Sequence, residues 1–273
     1  MAKEVVVLLG AGKMGLAIVR RIASGKKVVL GDLSSKILET AKEELLDAGF
    51  DVDIKIVDGS NRRSITEFAE YAASFGQISR YIHTAGVSPN MAKPEDIIKV
   101  DLIGTAIALE VFRDYIGNGG AGLVISSQAG HMIPFAADFE KQLAQVPADE
   151  LSDLAEIKAV DNSGYAYGMA KRANIVRVQH EAILWGDKGA RINTVSPGII
   201  ITPLARHELQ VQPESYARMI EASATGRTGT PDEVARAGEF LLSDDSSFIT
   251  GTDLLIDGGV MAAIKAGRYQ LGM

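Results

Sequence analysis

The stretch Val5-Val6-Val7-Leu8-Leu9-Gly10-Ala11-Gly12-Lys13-Met14-Gly15 decides the fold of this 273-residue chain. Its first five residues are apolar and mostly β-branched, which is typical of a strand buried on both faces. Residues 16–22 then continue with the apolar spacing of a helix. A glycine turn between strand and helix lets the backbone approach a pyrophosphate, which the N–H groups at the helix start then bind. The stretch therefore predicts a dinucleotide-binding turn formed by Gly10, Gly12, Lys13, Met14 and Gly15.

An acidic residue follows the next expected strand, at residues 27–30. Asp32 lies about 20 residues beyond the glycines, where a carboxylate accepts hydrogen bonds from the adenosine ribose hydroxyls. The same carboxylate would repel a 2′-phosphate, and no Arg adjoins it, so the sequence favours NAD over NADP as the cofactor. Leu33, the next residue, is expected to line the same site. The alternative is that Asp32 caps the helix that follows.

Strand and helix patterns alternate along the rest of the chain. Short apolar runs predict strands at residues 52–57, 78–83, 121–126, 191–196 and 252–256. Apolar spacing and capping residues predict helices at 35–48, 64–74, 94–116, around 167–186, and 231–242. This alternation implies right-handed crossovers between parallel strands. We therefore predict one α/β domain over residues 1–273, a Rossmann-type doubly wound parallel sheet flanked by helices.

Three segments depart from this alternation. Residues 131–162 form an insertion with helix-like pieces at 138–146 and 149–160. Long insertions are commonly functional, so a lid or substrate wall is the favoured interpretation, with an oligomer contact or an excursion without function as alternatives. Residues 203–225 lack clear periodicity and fit a substrate loop with short helices. The tail at 260–273 is partly apolar and could lie across a partner subunit.

Composition narrows the class of protein. The chain has 28 Lys and Arg against 35 Asp and Glu, a net charge of −7 that disfavours nucleic-acid binding. The absence of cysteine excludes disulfides, thiolate nucleophiles and cysteine metal sites. The four histidines have no ligand-like spacing, so no metal site is expected. No apolar run suits a membrane span and no signal-peptide pattern is present, so we expect a cytoplasmic protein that does not bind a membrane.

A tyrosine and a lysine mark the expected reaction site. Tyr167 and Lys171 are four residues apart and lie on one face of the helix that contains them. An ammonium held beside a phenol stabilises the phenolate and allows both groups to act on one bound molecule. The alternative is an amphipathic helix that carries the two residues by chance.

Further motifs occur in a fixed order along the chain. They are the glycine turn, Asp58-Gly59, Thr84-Ala85-Gly86, Ser127, Tyr167 with Lys171, Arg191-Ile192-Asn193, Pro197-Gly198 with Thr202, and Asp257-Gly258-Gly259. In these motifs the chain resembles the short-chain dehydrogenase/reductase family over nearly its whole length. The long separation between Ser127 and Tyr167 resembles the subset that includes 3α-hydroxysteroid dehydrogenase/carbonyl reductase.

The resemblance implies roles for individual residues. Tyr167 would be the acid/base, Lys171 would stabilise its phenolate and hold the nicotinamide ribose, and Ser127 would bind the substrate oxygen. Asp58 would bind the adenine amino group. The other residues that the resemblance places against the cofactor are Gly59, Thr84, Ala85, Gly86, Pro197, Gly198, Ile200 and Thr202. It also implies a homodimer or homotetramer.

Two departures from the family pattern matter. The family usually spaces its glycines as G-x-x-x-G-x-G, whereas Met14 and Leu16 stand at two of those places. Asp101 stands where the family has a fourth catalytic residue, an Asn that kinks a helix and anchors a proton-relay water. Asp101 could pair with Lys171 instead.

The leading functional hypothesis is an NAD(H)-dependent oxidoreductase that transfers hydride between nicotinamide and a secondary alcohol or ketone. The alternative is a catalytically weak or inactive NAD-binding sensor or scaffold of the same fold. An epimerase or dehydratase on this fold is a third hypothesis, which the C-terminal motifs disfavour.

Overall fold

The computed structural model describes residues 3–270, without the side chains of Leu204 and His207. Within this range the chain forms seven strands: β1 Glu4–Leu9, β2 Lys27–Asp32, β3 Asp51–Ile56, β4 Gln77–His83, β5 Ile116–Ile125, β6 Arg191–Pro197 and β7 Asp253–Ile256. They make one parallel sheet in the order β3-β2-β1-β4-β5-β6-β7. This order confirms the expected doubly wound parallel sheet.

Helices cover both faces of the sheet. They are α1 Lys13–Ile22, α2 Ser35–Asp47, α3 Arg62–Ala73, α4 Pro94–Ile97, α5 Thr105–Tyr115, α6 Ala137–Gln145, α7 Ala155–Lys158, α8 Ser163–Gly186, α9 Pro203–Val211, α10 Pro213–Ala222, α11 Pro231–Leu242 and α12 Val260–Lys265. A π-helical segment, Ile98–Gly104, joins α4 to α5, and 3-10 turns occur at Gln128–His131, Ala148–Asp153 and Asp244–Ser246. No helix in the described part of the chain is long and apolar enough to cross a membrane.

Two apolar cores lie on opposite faces of the sheet. One contains Phe68 of α3, Phe112 of α5 and Trp185 of α8, all fully buried. The other packs α1, α2 and α11 against the opposite face and includes Ile18 and Leu45. The continuous apolar runs of the central strands therefore reflect burial on both sides.

The expected helix start at residue 231 is made by a capping box. Thr230 accepts a hydrogen bond from the Glu233 N–H, and the Glu233 carboxylate accepts one from the Thr230 N–H. Proline at the first helical position loses no hydrogen bond, because that N–H has no partner within the helix. Local sequence alone therefore fixes the start of α11.

Two expected elements differ in the structure. The helix predicted at 94–116 is divided by the π-helical segment, and Ile116 has the extended backbone of β5. The second piece of the insertion is a 3-10 turn followed by the single turn α7, because Leu154 is extended between them. Gly104 ends the π-helical segment, whereas no Gly or Pro marks the break at Leu154.

The insertion is attached to the domain by buried contacts. Arg177 of α8 is buried and donates hydrogen bonds to the carbonyls of Leu143 and Val146, at the C-terminal end of α6. These carbonyls have no partner within the helix, so the guanidinium caps it. Glu110 of α5 accepts the Ala148 N–H at 2.9 Å. The role of the insertion as a lid or substrate wall stays a prediction.

Candidate active site

The candidate cofactor crevice lies where the direction of the sheet changes. β1 pairs with β2 on one side and with β4 on the other, so the crossovers that leave β1 and β4 run in opposite directions. Ligands of open α/β sheets bind outside the carboxyl ends of the strands at this point. The turn at residues 10–15 follows β1, and Thr84-Ala85-Gly86 follows β4. The fold therefore brings these two predicted groups of residues together.

The glycine turn is close-packed at two positions and open at a third. Gly10 has φ of +94°, and a Cβ there would lie 2.3 Å from the Ala85 nitrogen. A Cβ at Gly15 would lie 2.6 Å from Leu8 Cδ1, so this glycine lets α1 pack on β1. At Gly12 a Cβ would meet nothing within 4 Å, and no side chain caps the N-terminus of α1. The turn thus leaves helix N–H groups open to an anion, and it fits a pyrophosphate despite its spacing.

Asp32 is anchored beside the glycine turn. Its Oδ2 accepts the Ala11 N–H and its Oδ1 accepts the Ser34 N–H, each at 2.9 Å. Ser34, rather than Asp32, caps α2, since its hydroxyl accepts the Ile37 N–H. The helix-cap alternative for Asp32 is therefore wrong. Each carboxylate oxygen keeps a lone pair for a hydroxyl donor, and the adjacent Leu33 is 70 % exposed.

Other residues of the predicted cofactor site have partners within the protein. Lys13 pairs with Glu44 of α2 at 2.9 Å, and the Thr84 hydroxyl donates to the Gly10 carbonyl. Asp58 accepts hydrogen bonds from the backbone and hydroxyl of Ser60, which hold the pKa of its carboxyl below the usual value. Lys13 therefore points toward α2, while Asp58 stays ionised at neutral pH.

Tyr167, Lys171 and Asp101 form the chemical centre of the site. The Lys171 Nζ lies 2.9 Å from Asp101 Oδ2 and 5.2 Å from the centre of the Tyr167 ring. Lys171 and Asp101 are both buried. Burial by itself lowers the pKa of Lys171, but the opposing charges of Asp101 and Tyr167 outweigh it and the pKa is raised. The ammonium is therefore charged at neutral pH.

The π-helical segment and a neighbouring loop position Asp101. Its Oδ1 accepts the Val87 N–H at 2.8 Å, while Oδ2 faces the Lys171 ammonium as an ion pair without an aligned N–H donor. A Cβ at Gly86 would lie 2.9 Å from Asp101 Oδ2 and 3.3 Å from Lys171 Nζ. Any larger residue than glycine at position 86 would therefore push the two charges apart.

A buried histidine supports the same centre and was assigned no role from the sequence. The Tyr81 hydroxyl lies 2.8 Å from His83 Nδ1, and the Thr105 hydroxyl lies 3.1 Å from Nε2. Because Thr105 donates its proton to the Asp101 carbonyl, Nε2 carries the imidazole hydrogen and Tyr81 donates to Nδ1. Burial and the Lys171 charge lower the pKa of His83 to about 3, so the ring is neutral. The signal in the sequence was a histidine at the end of a buried strand, directly before Thr84-Ala85-Gly86.

The two serines at the end of β5 differ in their surroundings. Ser126 is buried and donates its hydroxyl proton to the Lys171 carbonyl at 2.7 Å. Ser127 is half-buried and accepts the Ala129 N–H at 3.2 Å, which leaves its proton available to a ligand. Tyr165 is 42 % exposed and its ring packs edge-on against Phe135, away from Lys171.

The residues expected at the carboxamide end of the cofactor follow β6. The Gly198 N–H bonds to the Ile256 carbonyl at 3.1 Å, and Ile200 is buried and bridges to Gly229. Thr202 caps α9, because its hydroxyl accepts the Ala205 N–H at 3.0 Å. Pro197 ends β6 in a buried position. These residues lie together at the carboxyl edge of the sheet.

Helices α9 and α10 lie over this edge. Glu208 of α9 is buried and accepts hydrogen bonds from Ser88 and Asn90, in the loop after β4. Burial is the main reason that the pKa of Tyr216 is raised to about 12, and the nearby Glu208 and Tyr167 add to the effect. Helix α10 therefore reaches the surroundings of Tyr167, and the role of residues 203–225 as a substrate loop stays a prediction.

Two cavities lie among the described residues at this edge of the sheet. One of about 200 Å³ is lined mainly by the segments that follow β6, α10 and β7, and one of about 430 Å³ by residues 130–135 with Glu140 and Arg172. Neither contains Tyr167. The assignment of the site therefore rests on the chemistry of its side chains rather than on cavity size.

Comparison with known proteins gives consistent relatives. Residues 150–261 match the family model described as enoyl-(acyl carrier protein) reductase. The chain is 39 % identical over 271 residues to the short-chain dehydrogenase/reductase bsc3 of Alternaria brassicicola, covering 97 % of this chain and 98 % of that protein. It is 27 % identical over 259 residues to the 3-alpha-hydroxysteroid dehydrogenase/carbonyl reductase of Comamonas testosteroni, covering 91 % and 98 %.

A solved structure agrees with these relatives. The crystal structure of levodione reductase superposes with a TM-score of 0.75 at 26 % identity, covering 95 % of this chain and 98 % of that one. Coverage is near-complete in both directions, so the likeness extends over nearly the whole chain. The chain therefore belongs to the short-chain dehydrogenase/reductase family.

Proposed function

We propose that this protein is an NAD(H)-dependent oxidoreductase that acts on a secondary alcohol or the corresponding ketone. The observation that carries the proposal is the buried Lys171–Asp101 pair beside Tyr167, with the Ser127 hydroxyl at the end of β5. The relatives named above as dehydrogenases and reductases support the oxidoreductase class. When bound, the nicotinamide ring supplies the carbon that gives or accepts hydride.

Tyr167 acts as the general acid and base. In reduction its phenol protonates the carbonyl oxygen, and in oxidation its phenolate takes the hydroxyl proton. Lys171 remains charged and stabilises the phenolate across the short distance between them. Ser127 donates a hydrogen bond to the same substrate oxygen, which holds that oxygen near the phenol.

Asp101 supports the lysine rather than contacting the substrate. Its carboxylate supplies the countercharge that keeps a buried ammonium protonated. The backbone hydrogen bond from Val87 fixes its orientation. In this arrangement the ion pair takes the place that the family gives to an asparagine.

Asp32 supports NAD as the preferred cofactor. Its two anchored oxygens can accept from two ribose hydroxyls, and the same negative charge disfavours a phosphate at that place. The open backbone at Gly12 supports pyrophosphate binding in the adjoining turn. Both features lie at the carboxyl ends of β1 and β2.

The proposal is tested by NAD-linked turnover of a panel of secondary alcohols and ketones. We expect turnover by the wild type, and its loss in Tyr167→Phe with NADH affinity nearly unchanged. Tyr165→Phe is the matched control, since that residue faces Phe135. Unchanged turnover in Tyr167→Phe would exclude the acid/base role.

An NAD-binding sensor or scaffold remains the second candidate. The observation that favours it is Asp101 at the usual asparagine position, where it holds Lys171 in an ion pair. A sensor would bind NADH tightly and turn over no member of the panel. Tight binding without turnover would therefore replace the first proposal with the second.

A further inference from the structure

The side chain of Gln128 is a buried amide with almost no partners. It is 7 % exposed and immediately follows Ser127, at the start of the 3-10 turn. Its Nε2 donates to the Met219 sulfur at 3.3 Å, and its Oε1 has no hydrogen-bond donor among the residues that the structure describes. A thioether is a weak acceptor, and buried amide oxygens nearly always have a donor. This side chain thus lacks the hydrogen bonds that burial normally requires.

The position of the amide places it at the substrate side of the site. A Cβ at Gly198 would lie 3.0 Å from Gln128 Oε1, so the amide passes over the turn at the end of β6. Its other end contacts Met219 of α10, the helix whose Tyr216 is close enough to Tyr167 for the phenol to affect its pKa. The unpartnered oxygen therefore lies between the strand ends and the helices that cover them, rather than inside either apolar core.

Rotating the amide by 180° does not supply the missing hydrogen bond. Exchange of Oε1 and Nε2 would place the oxygen against the sulfur and leave the NH₂ group without an acceptor. In either orientation one polar end of Gln128 has no partner among the described residues. A hydroxyl group satisfies both cases, because it donates and accepts.

We infer that Gln128 is a specificity-determining residue that binds a second hydroxyl group of the substrate, on the carbon next to the reacting one. The inference rests on the proposed function. Ser127 and Gln128 are consecutive, with Cα atoms about 3.8 Å apart, so both side chains start at the same end of β5. The substrate class is a vicinal diol, or the α-hydroxy ketone formed from it. The reacting carbon loses hydride and its hydroxyl loses a proton to Tyr167, while the second hydroxyl is bound and unchanged.

The test compares matched alcohols with NAD. The pairs are cyclohexanol with trans-cyclohexane-1,2-diol, and butan-2-ol with butane-2,3-diol. We expect the wild type to favour the diol of at least one pair by about tenfold in kcat/KM, as one buried hydrogen bond allows. Gln128→Met keeps the length of the side chain and removes its polarity, so the ratio should fall to about one. Gln179→Met, at an exposed position of α8, should keep the wild-type ratio.

A second measurement separates substrate binding from a structural role. In urea, the ligand-free Gln128→Met protein should unfold at a midpoint equal to or above that of the wild type, because no protein donor loses its partner. A clearly lower midpoint would mean that the amide supports the fold and would overturn the inference. Turnover of monoalcohols and diols at equal efficiency would overturn it as well and leave the proposed function intact. Absence of all NAD-linked turnover would overturn both.

Discussion

Replacing Asp101 by asparagine removes one charge from the Lys171 pair and little else. Asparagine has nearly the same shape, and its Oδ1 can still accept the Val87 N–H. At an effective dielectric constant of about 20, unit charges at the observed 2.9 Å attract each other by about 6 kcal/mol. The desolvation of two buried charges offsets part of this attraction. Since loss of one partner from a buried pair costs about 3–5 kcal/mol, we expect the free energy of unfolding at pH 7 to fall by about 3 kcal/mol.

The pH dependence of the loss in unfolding free energy shows whether the Lys171–Asp101 ion pair causes it. In the folded wild type the pKa of Lys171 is raised, so its stabilising contribution is present at neutral pH and is lost as the pH rises through the folded pKa. In the variant, burial acts without the countercharge and holds the pKa of Lys171 below its unfolded value of about 10.4. The loss of unfolding free energy in Asp101→Asn then becomes smaller as the pH rises toward about 10.4. The stabilities of the two proteins should therefore converge between about pH 8 and pH 11.

Urea unfolding at a series of pH values measures this difference. The matched control is Glu67→Gln, which removes a carboxylate that is paired with Arg63 at 2.8 Å but exposed to solvent. An exposed pair contributes little, so this variant should unfold like the wild type. A constant gap between Asp101→Asn and wild type from pH 7 to pH 11 would refute the ion-pair argument. We also expect a lower kcat in Asp101→Asn, because a less firmly protonated lysine stabilises the Tyr167 phenolate less.

Three further changes have outcomes that follow from the contacts described. His83→Leu leaves the buried Tyr81 hydroxyl without an acceptor, which should lower the free energy of unfolding by about 2 kcal/mol. Because the folded pKa of His83 is about 3, the free energy of unfolding of the wild type should also fall as the pH drops below about 6.5. This dependence on pH should be weaker in His83→Leu. Parallel plots of unfolding free energy against pH, measured in urea, would contradict the reasoning. Asp32→Ala should raise the affinity for NADPH relative to NADH by about tenfold in fluorescence titrations, and an unchanged ratio would remove Asp32 as the selector. Arg177→Met removes the hydrogen bonds that cap α6 and should lower the free energy of unfolding by about 2 kcal/mol. Limited proteolysis should then cleave the variant earlier than the wild type, between residues 146 and 162. If the variant resists the protease as well as the wild type does, the guanidinium does not hold the insertion.

The sheet was predictable because its signals are local. Five consecutive apolar residues before Gly10 identify β1, and Thr230 with Glu233 identifies the start of α11, without knowledge of any distant contact. The handedness of the crossovers limits the possible strand orders, and the structure selects the order β3-β2-β1-β4-β5-β6-β7 among them. Motif order likewise indicated where Tyr167, Lys171 and Asp101 would meet.

The details of the centre depend on contacts between distant segments. Asp101, in the π-helical segment, accepts a hydrogen bond from the Val87 N–H, and Thr105 at the start of α5 contacts His83. Neither contact has a local sequence pattern that predicts it. The helical break at Leu154 likewise has no local sequence pattern that predicts it. The unsatisfied amide of Gln128 is visible only once Met219 and Gly198 are placed around it. Such features are set by packing, which overrides local propensity.

The Lys171–Asp101 ion pair also has a consequence for how the protein acquires activity as it folds. Asp101 belongs to the half of the chain that carries the glycine turn and Asp32, whereas Lys171 arrives with a helix beyond the insertion. The two residues are 70 positions apart, so their contact forms only when a long loop has closed. Until α8 docks, a refolding or newly synthesised chain holds the Asp101 carboxylate without its cation. During refolding, turnover should therefore recover no earlier than the docking of α8.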